Sequence, residues 1–559
     1  MKKGKQKQIQ RREFLNLLGK GTLTSIFLPQ FFYGCNNGSE NLTAASLSAN
    51  ENESLKDFIL KGIDPSNADD VQLAEGLAHQ VLLKWNDPIS DIDRFGFNND
   101  FTCFIPIDKN VENDGLLWVN HEYSSRLFVS NYFFPNERTI EQVDKEMYSV
   151  GGSIVRVKEI NGKWEVVKND PLNRRITAKT NIPFNWDYPI KGSDKAMGTH
   201  SNCSGGITPW GTILTCEENY DSFYGETIYD ESNNPVYIPS SYGWENFYPN
   251  PPEHYGWVVE IDPFTGKGQK HIALGRCAHE CCTLVQLPDN RIVAYTGDDT
   301  NNEFIYKFIS SEPNSLKKGT LYVADTINGK WIPIDFATQP LLQARFKDQT
   351  EVLIRTREAA RILGATPQNR PEDIEIDPLT GNVIISLTNN STTGDYHGTI
   401  LKLSEAEGKH DALSFNSEAL ATGGHESGFT CPDNLVFDLS GNLWFTSDIS
   451  GALMNQQMGP YFPTFKNNGL YVLLRHGKDK GKIIQLASAP TDAEFTGPWF
   501  SPDYKTLFLS VQHPGERSIS LNALTSTWPH DEDGIPKPSV IVIKGAMLDK
   551  LNHLREEQD

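Results

Sequence analysis

Past its N-terminal segment the chain has no stretch approaching the roughly 18 consecutive apolar residues that a membrane-spanning helix needs. Positive charge is also scarce: 51 Lys and Arg stand against 72 Asp and Glu, a formal net charge of -21. Such a surface repels nucleic acid and anionic membranes, so no nucleic-acid partner is expected. An anionic substrate would have to be met by local cations, either bound metal ions or a placed Arg or Lys. No Ser, His and Asp set marks an activated side-chain nucleophile. Cysteine is sparse, eight in 559 residues, at 35, 103, 203, 216, 277, 281, 282 and 431. Setting Cys35 aside leaves an odd count, which in an oxidising compartment keeps at least one thiol free or ligating. What the chain does have is apolar residue, 38%, and aromatic residue, 11%, enough for a substantial core.

The first residues read as an address. A polar, basic start leads to Arg11-Arg12-Glu13-Phe14-Leu15 and an apolar run through Leu28, interrupted by Pro29. Paired arginines ahead of a modest apolar stretch form the twin-arginine export pattern, which implies the twin-arginine machinery as a partner. The run ends at Phe32-Tyr33-Gly34-Cys35, where Cys35 is a candidate for lipidation, although Tyr33 fits that signal poorly. Residues 1–35 are therefore expected to be a signal and 36–54, rich in Asn, Ser, Glu and Ala, a flexible tether. Residues 55–559 are expected to form one domain, monomeric, in a protein that is periplasmic or held to a membrane as a lipoprotein.

Within that domain one pattern recurs six times: a polar cluster, an apolar strand, a tight polar turn, and a second apolar strand ending in polar residues. The pairs are Phe101 to Asp108 with Gly115 to Glu122, Asn202 to Pro209 with Thr212 to Asn219, and His279 to Leu287 with Arg291 to Asp299. They continue as Glu372 to Asp377 with Val383 to Asn389, Asp433 to Asp438 with Leu443 to Asp448, and Gly497 to Pro502 with Thr506 to Gln512. These are hairpin signals. Radial repetition of hairpins buries sheet faces without long open edges. The fold class expected is all-β, a six-bladed β-propeller with inserted loops and a few peripheral helices, among them 351–363 and 548–557.

Polar residues cluster where each hairpin begins and ends, and antiparallel pairing puts those two ends side by side. On a propeller, Asn120, Glu122, Cys203, Glu217, Glu218, Glu280, Asp298, Asp299, Glu372, Asp373, Asp433, Asn434 and Glu494 should then face one funnel. Carboxylates that close cannot all ionise without compensating cations. Their oxygens suit Ca2+, and a thiolate among them argues for a transition metal such as iron. Arg370, two residues from Glu372, could fork onto phosphate oxygens or pair with Asp373; Lys307 is a weaker second cation. His121 and His279 are expected to pack, and Cys277, Cys281 and Cys282 to be buried thiols or to form a disulfide.

Taken in order, Asn120-His-Glu122, Asn202-Cys-Ser-Gly-Gly206 with Cys216-Glu-Glu-Asn219, His279-Glu280, Gly297-Asp-Asp299 with Tyr306-Lys307, Arg370-Pro-Glu-Asp373 and Pro432-Asp-Asn434 resemble the PhoX alkaline phosphatases. The resemblance spans nearly all of the chain from about 100 to 516. It implies hydrolysis of phosphomonoesters with Ca2+ and Fe3+ as cofactors. It makes Cys203, Glu218, Glu280, Glu372 and Asp433 metal ligands, Asn120 and Glu122 residues of the metal rim, and Arg370 and Asn434 holders of the phosphate. The cysteines around Glu280 and the lipoprotein-like Cys35 depart from the family pattern. Two alternatives remain: a calcium-dependent propeller lactonase or phosphotriesterase, and a non-catalytic calcium-binding surface propeller. The first typically uses one calcium and no thiolate, so Cys203 discriminates.

Overall fold

The computed structural model describes residues 59–133 and 136–554, and six large antiparallel sheets carry their architecture. The signal and tether expected over 1–54, with Cys35, lie outside the described residues.

Each sheet begins with one of the six hairpins. From the axis outward, blade 1 runs Asn99–Pro106, Asp114–His121, Gly151–Ile160, Lys163–Val166. Blade 2 runs Asn202–Ile207, Ile213–Glu217, Val258–Ile261, Gly268–His271. Blade 3 has five strands, starting with Thr283–Gln286, Ile292–Gly297 and Ile305–Ser310. Blade 4 runs Pro371–Ile376, Val383–Leu387, Thr399–Glu405, Phe415–Thr422. Blade 5 opens with Pro432–Phe437, Leu443–Ser447, Gly469–Leu473 and Ile483–Ser488, and blade 6 with Glu494–Phe500, Leu507–Gln512 and Ser539–Lys544.

The six inner strands touch one another in a closed cycle, blade 1 to 2, 2 to 3, 3 to 4, 4 to 5, 5 to 6 and 6 back to 1. The protein is a six-bladed β-propeller. Strands from the start of the domain complete the last two blades: Ala78–Lys84 pairs with Ser539–Lys544, and Gln72–Leu73 with Ile483–Ser488. The ring is thus closed by hydrogen bonds between sequence-distant strands. At the seam, Gly497 has φ 53°, and a Cβ there would lie 2.5 Å from Phe101 Cα. Only glycine allows blade 6 to approach the start of blade 1 so closely.

Strand alternation sends apolar residues to both faces of each blade, and every interface between neighbouring blades carries its own apolar cluster. Between blades 6 and 1, for example, Phe104 stacks on Phe508 with ring centroids 5.7 Å apart, beside Trp164, Leu117 and Val540. Each such fully buried side chain contributes about 1.5–3 kcal/mol.

Helices are few. The single helix expected over 351–363 is two, Gln349–Ile354 and Thr356–Ile362, broken at Arg355, whose guanidinium grips both Glu351 and Glu358. The C-terminal helix is Ala546–Asn552; residues 555–557 of the helix expected over 548–557 lie outside the described residues.

Candidate metal centre at the propeller axis

A local device repeats at the start of blades 1, 2, 4 and 5. The residue just before the inner strand adopts a left-handed conformation: Asn98 (φ 54°), Ser201 (56°), Arg370 (53°) and Cys431 (47°). Its carbonyl accepts a hydrogen bond from the backbone N–H at the end of the second strand: Glu122, Glu218, Thr388 and Asp448 respectively, at 2.8–3.1 Å. Strand register then skips, between Asn99 and Thr102, Asn202 and Gly205, Pro371 and Ile374, and Pro432 and Leu435. The residue entering each of these bulges is Asp100, Cys203, Glu372 or Asp433. Bulges re-aim side chains next to functional sites, and left-handed non-glycine residues cost about 1–3 kcal/mol each. Here the strained turn and the bulge turn one side chain per blade toward the axis.

Blade 3 adds Glu280 and Asp299, and blade 6 adds Glu494, Gln512 and His513. Together these residues line an axial cavity of about 420 Å³. Ten carboxylates face it (Asp100, Glu122, Glu218, Glu280, Asp299, Glu372, Asp433, Asp448, Glu494, Glu516) against one guanidinium, Arg370. That imbalance calls for cations. Three sets hold candidate ligand atoms within 4.8 Å of one another: Asp100, Glu122 and Cys203; Cys203, Glu218 and Glu280; Glu280, Asp299 and Glu372. Cys203 joins the first set to the second, and Glu280 joins the second to the third. Cys203 Sγ lies 3.4 Å from both Asp100 Oδ2 and Glu280 Oε1. Asp100 Oδ1 and Glu280 Oε2 are buried and make no hydrogen bond. Two acids that flank a thiol, each with one buried oxygen left without a hydrogen bond, fit a metal-binding cradle.

The electrostatics agree. Burial first, then neighbouring carboxylates, push Glu122 up to about 8. Burial, then Asp448, do the same to Asp433, also to about 8. Asp100, Glu218, Glu280, Glu372 and Glu494 are driven well above the carboxylate range, in each case chiefly by burial. Burial, then Asp100 and Glu280, raise the Cys203 thiol well above its ordinary value. Cations would reverse all of these shifts.

Polar neighbours fix the donors. Gln512 Nε2 donates to Asp100 Oδ2 at 2.7 Å and to Glu122 Oε2 at 2.9 Å. Thr388 Oγ1 donates to Glu372 Oε1 at 2.9 Å. Arg370 is gripped by Asp299 through Nε and Nη2, both at 2.8 Å, by Glu372 at 2.6 Å and by Asp448 at 3.0 Å. The pair considered from sequence, Arg370 with Asp373, does not form.

Several other expected residues are used elsewhere. Asn120 cannot be a ligand: its Nδ2 donates to Cys203 O and Ser204 O, and its Oδ1 accepts from Trp118 Nε1 and Thr215 Oγ1. All its hydrogen-bonding capacity is spent, half on the backbone carbonyls of Cys203 and Ser204 and half on the Trp118 and Thr215 side chains. Glu217 pairs with the fully buried Lys270 and accepts from Gly256 N and Trp257 N. Asp298 is forked by Arg357 and does not line the cavity. Asp373 accepts from Ile374 N and Leu435 N, joining blade 4 to blade 5. Lys307 is buried against Glu405, Ala412 O and the Trp331 ring, away from the axis. Asn434 does not line the cavity; its Nδ2 donates to Asp433 Oδ1 at 2.9 Å and reaches Glu280 Oε1 at 3.4 Å from behind. It positions those carboxylates rather than facing a phosphate. His121 bonds Ser153 and His279 bonds Gly275 O and Thr296, as packing residues. The seven described cysteines are all free thiols, so no disulfide forms among Cys277, Cys281 and Cys282.

Reasoning from sequence missed Asp100, Asp448, Asn219, Gln512, His513 and Glu516. Asp100 is the second residue of its inner strand, as Cys203 and Asp433 are of theirs, so the positional rule alone would have found it.

A propeller that turns carboxylates and a thiol from successive blades onto its axis is built as a metal-dependent enzyme. The family profile described as alkaline phosphatase PhoX matches residues 59–515. Among solved structures, Pseudomonas fluorescens PhoX in complex with vanadate, a transition state analogue, is 30% identical, with a TM-score of 0.76 over 87% of this chain and 98% of that one. A Dyadobacter fermentans protein of unknown function is 11% identical, with a TM-score of 0.38 over 84% of this chain and 100% of its own. A Xanthomonas campestris gluconolactonase is 9% identical, with a TM-score of 0.30 over 81% and 99%. No curated protein matches the chain. The chain belongs to the PhoX alkaline phosphatase family and is a metal-dependent alkaline phosphatase.

Proposed function

We propose that the axial cavity hydrolyses phosphomonoesters to alcohol and inorganic phosphate, using Ca2+ and Fe3+. Asp100, Glu122, Cys203, Glu218, Glu280, Glu372 and Asp433 would hold the ions. Their carboxylates are hard donors suited to Ca2+, and the single thiol suits iron. The observation that carries this reading is the place of Cys203, shared by two adjoining ligand sets and flanked by Asp100 and Glu280, each of which keeps one buried carboxylate oxygen without a hydrogen bond. Bound there, the ions supply Lewis-acid polarisation of the phosphate and activation of water.

The chain's own residues do the rest. Arg370 is the one permanent cation among the described cavity residues, and its guanidinium offsets charge on the phosphate's equatorial oxygens. Asp299 holds the fork of that guanidinium in one orientation, and Asp448 anchors its other arm. Gln512 keeps Asp100 and Glu122 facing the same space, and Asn434 does the same for Asp433 and Glu280. The binding of vanadate by the Pseudomonas fluorescens relative supports phosphoryl chemistry in this cavity. We further propose export by the twin-arginine route to the periplasm, with Cys35 as a lipid anchor, and a monomeric protein.

The test is to purify the folded protein from a twin-arginine-competent host, measure calcium and iron together, and assay a chromogenic phosphate ester before and after chelation. Activity that depends on both metals is expected. Metal-free protein with undiminished turnover would end the reading, and bound calcium without turnover would favour the binding-propeller alternative.

A further inference from the structure

Beside the axial cavity lies a second, of about 300 Å³, that the chemistry above leaves unused. The two share a wall of Tyr123, His513 and Glu516, and the Tyr123 and His513 rings stack there at 22° with centroids 6.2 Å apart. An ester whose phosphate sits in the first cavity has to place its alcohol portion somewhere adjoining. The second cavity is the neighbouring space with a contrasting lining. Where the first is walled by carboxylates, this one is walled by rings, Phe97, Phe128, Tyr123 and Tyr242. Phe97 and Phe128 lie 6.3 Å apart at 32°, and the Arg126 guanidinium stands over the Tyr242 ring at 5.0 Å.

We infer that this cavity is the leaving-group subsite and that it selects phosphomonoesters whose alcohol carries a planar aromatic ring. Ring-to-ring contacts favour a flat π-system over a saturated ring of equal size. The Arg126 guanidinium, which lines the cavity, would lie against the π-face of that ring. The size fits a single small ring system, at the lower end of ligand pockets. The element that carries Arg126 and Phe128 is one short turn, Arg126–Ser130, pinned by Ser125 Oγ accepting from Phe128 N, so both side chains are presented by backbone that the fold fixes locally.

The inference rests on the phosphomonoesterase reading, and its test separates the two. Benzyl phosphate and cyclohexylmethyl phosphate have similar shapes and closely similar leaving-group basicity, but only the first is planar. Comparing kcat/KM for this pair removes most of the difference in intrinsic reactivity, and the change in their ratio between wild type and variant removes the rest. The wild-type protein is expected to favour benzyl phosphate about fivefold or more, a preference seated mainly in KM. Phe128→Ala should collapse the ratio toward one. Ser241→Trp, which fills the cavity from its exposed rim, should depress benzyl phosphate turnover more than that of glycerol phosphate and serves if Phe128→Ala does not fold. Hydrolysis of all three esters, with a benzyl-to-cyclohexylmethyl ratio near one in the wild type or a ratio that neither variant moves, would overturn the subsite alone. Failure to hydrolyse any of them would overturn the phosphomonoesterase reading and the subsite with it.

Discussion

Stripping the cations from the axial cavity should make the stability of the fold fall steeply as pH rises. In the metal-free chain Glu122 and Asp433 keep their protons up to about pH 8, because burial and neighbouring carboxylates oppose ionisation. In the unfolded chain both lose them near their ordinary values of 4.5 and 3.8. A group whose pKa is raised in the folded state supports folding fully below its unfolded pKa and loses that support as pH climbs to the folded value. Each pH unit between those two values costs about 1.36 kcal/mol, so either residue alone withdraws on the order of 5 kcal/mol between pH 4 and pH 8. A domain typically has only about 5–15 kcal/mol in total. Asp100, Glu218, Glu280, Glu372 and Glu494 move in the same direction, so the metal-free protein should be marginal or unfolded above pH 8. With cations bound the carboxylates ionise at little cost and the dependence flattens. Thermal or urea unfolding from pH 5 to pH 9, with chelator and with calcium and iron, should give curves that diverge as pH rises. Parallel curves, separated by the same gap at every pH, would refute the idea that the cations neutralise these buried acids.

Cys203→Ser should lower iron content and turnover together, by about tenfold to a hundredfold, while leaving calcium in place; metal analysis alongside kcat decides it. Arg370→Lys should lower kcat by about 10²-fold with far less effect on metal content, because an ammonium cannot fork onto Asp299 and still reach Asp448. Asn120→Asp should destabilise the fold by about 2–4 kcal/mol in urea titrations, since a carboxylate would face the Cys203 and Ser204 carbonyls; a neutral result would return Asn120 to the ligand set. Glu217→Gln should cost about 3–5 kcal/mol by leaving Lys270 charged, buried and poorly paired, without lowering bound calcium or iron in the protein that folds.

The six hairpins were legible because each is a pair of alternating apolar runs around a polar turn, and all six appear with boundaries close to those read from sequence. The blade order follows from that repetition. The site was legible as a set of positions, the strand ends, but not as a set of side chains. Adjacent residues on a strand point to opposite faces, so within Glu217-Glu218, Asp298-Asp299 and Glu372-Asp373 only one of each pair can face the axis. It is the second in the first two pairs and the first in the last. For Glu217-Glu218 and Glu372-Asp373 what decides is the left-handed residue and bulge at the start of the inner strand, and three of the four residues in that conformation, Ser201, Arg370 and Cys431, carry no glycine or asparagine signature. Asn120 misleads for a related reason: it sits on the strand that leads to Glu122, and its amide serves the backbone beside Cys203 instead of the cavity. Asp100 is hidden in a turn-forming Asn98-Asn99-Asp100 cluster, although the same bulge brings it to Cys203.

The central claim is that sequence-distant acids and one thiol share cations on the propeller axis, and anomalous diffraction from crystals of the metal-loaded protein tests it most directly. Data collected at the iron absorption edge should show a peak at bonding distance from Cys203 Sγ, between Asp100 and Glu280, with calcium sites among Glu218, Glu280, Glu372 and Asp433. An axial cavity without anomalous density, or iron bound at a surface site away from Cys203, would contradict the account.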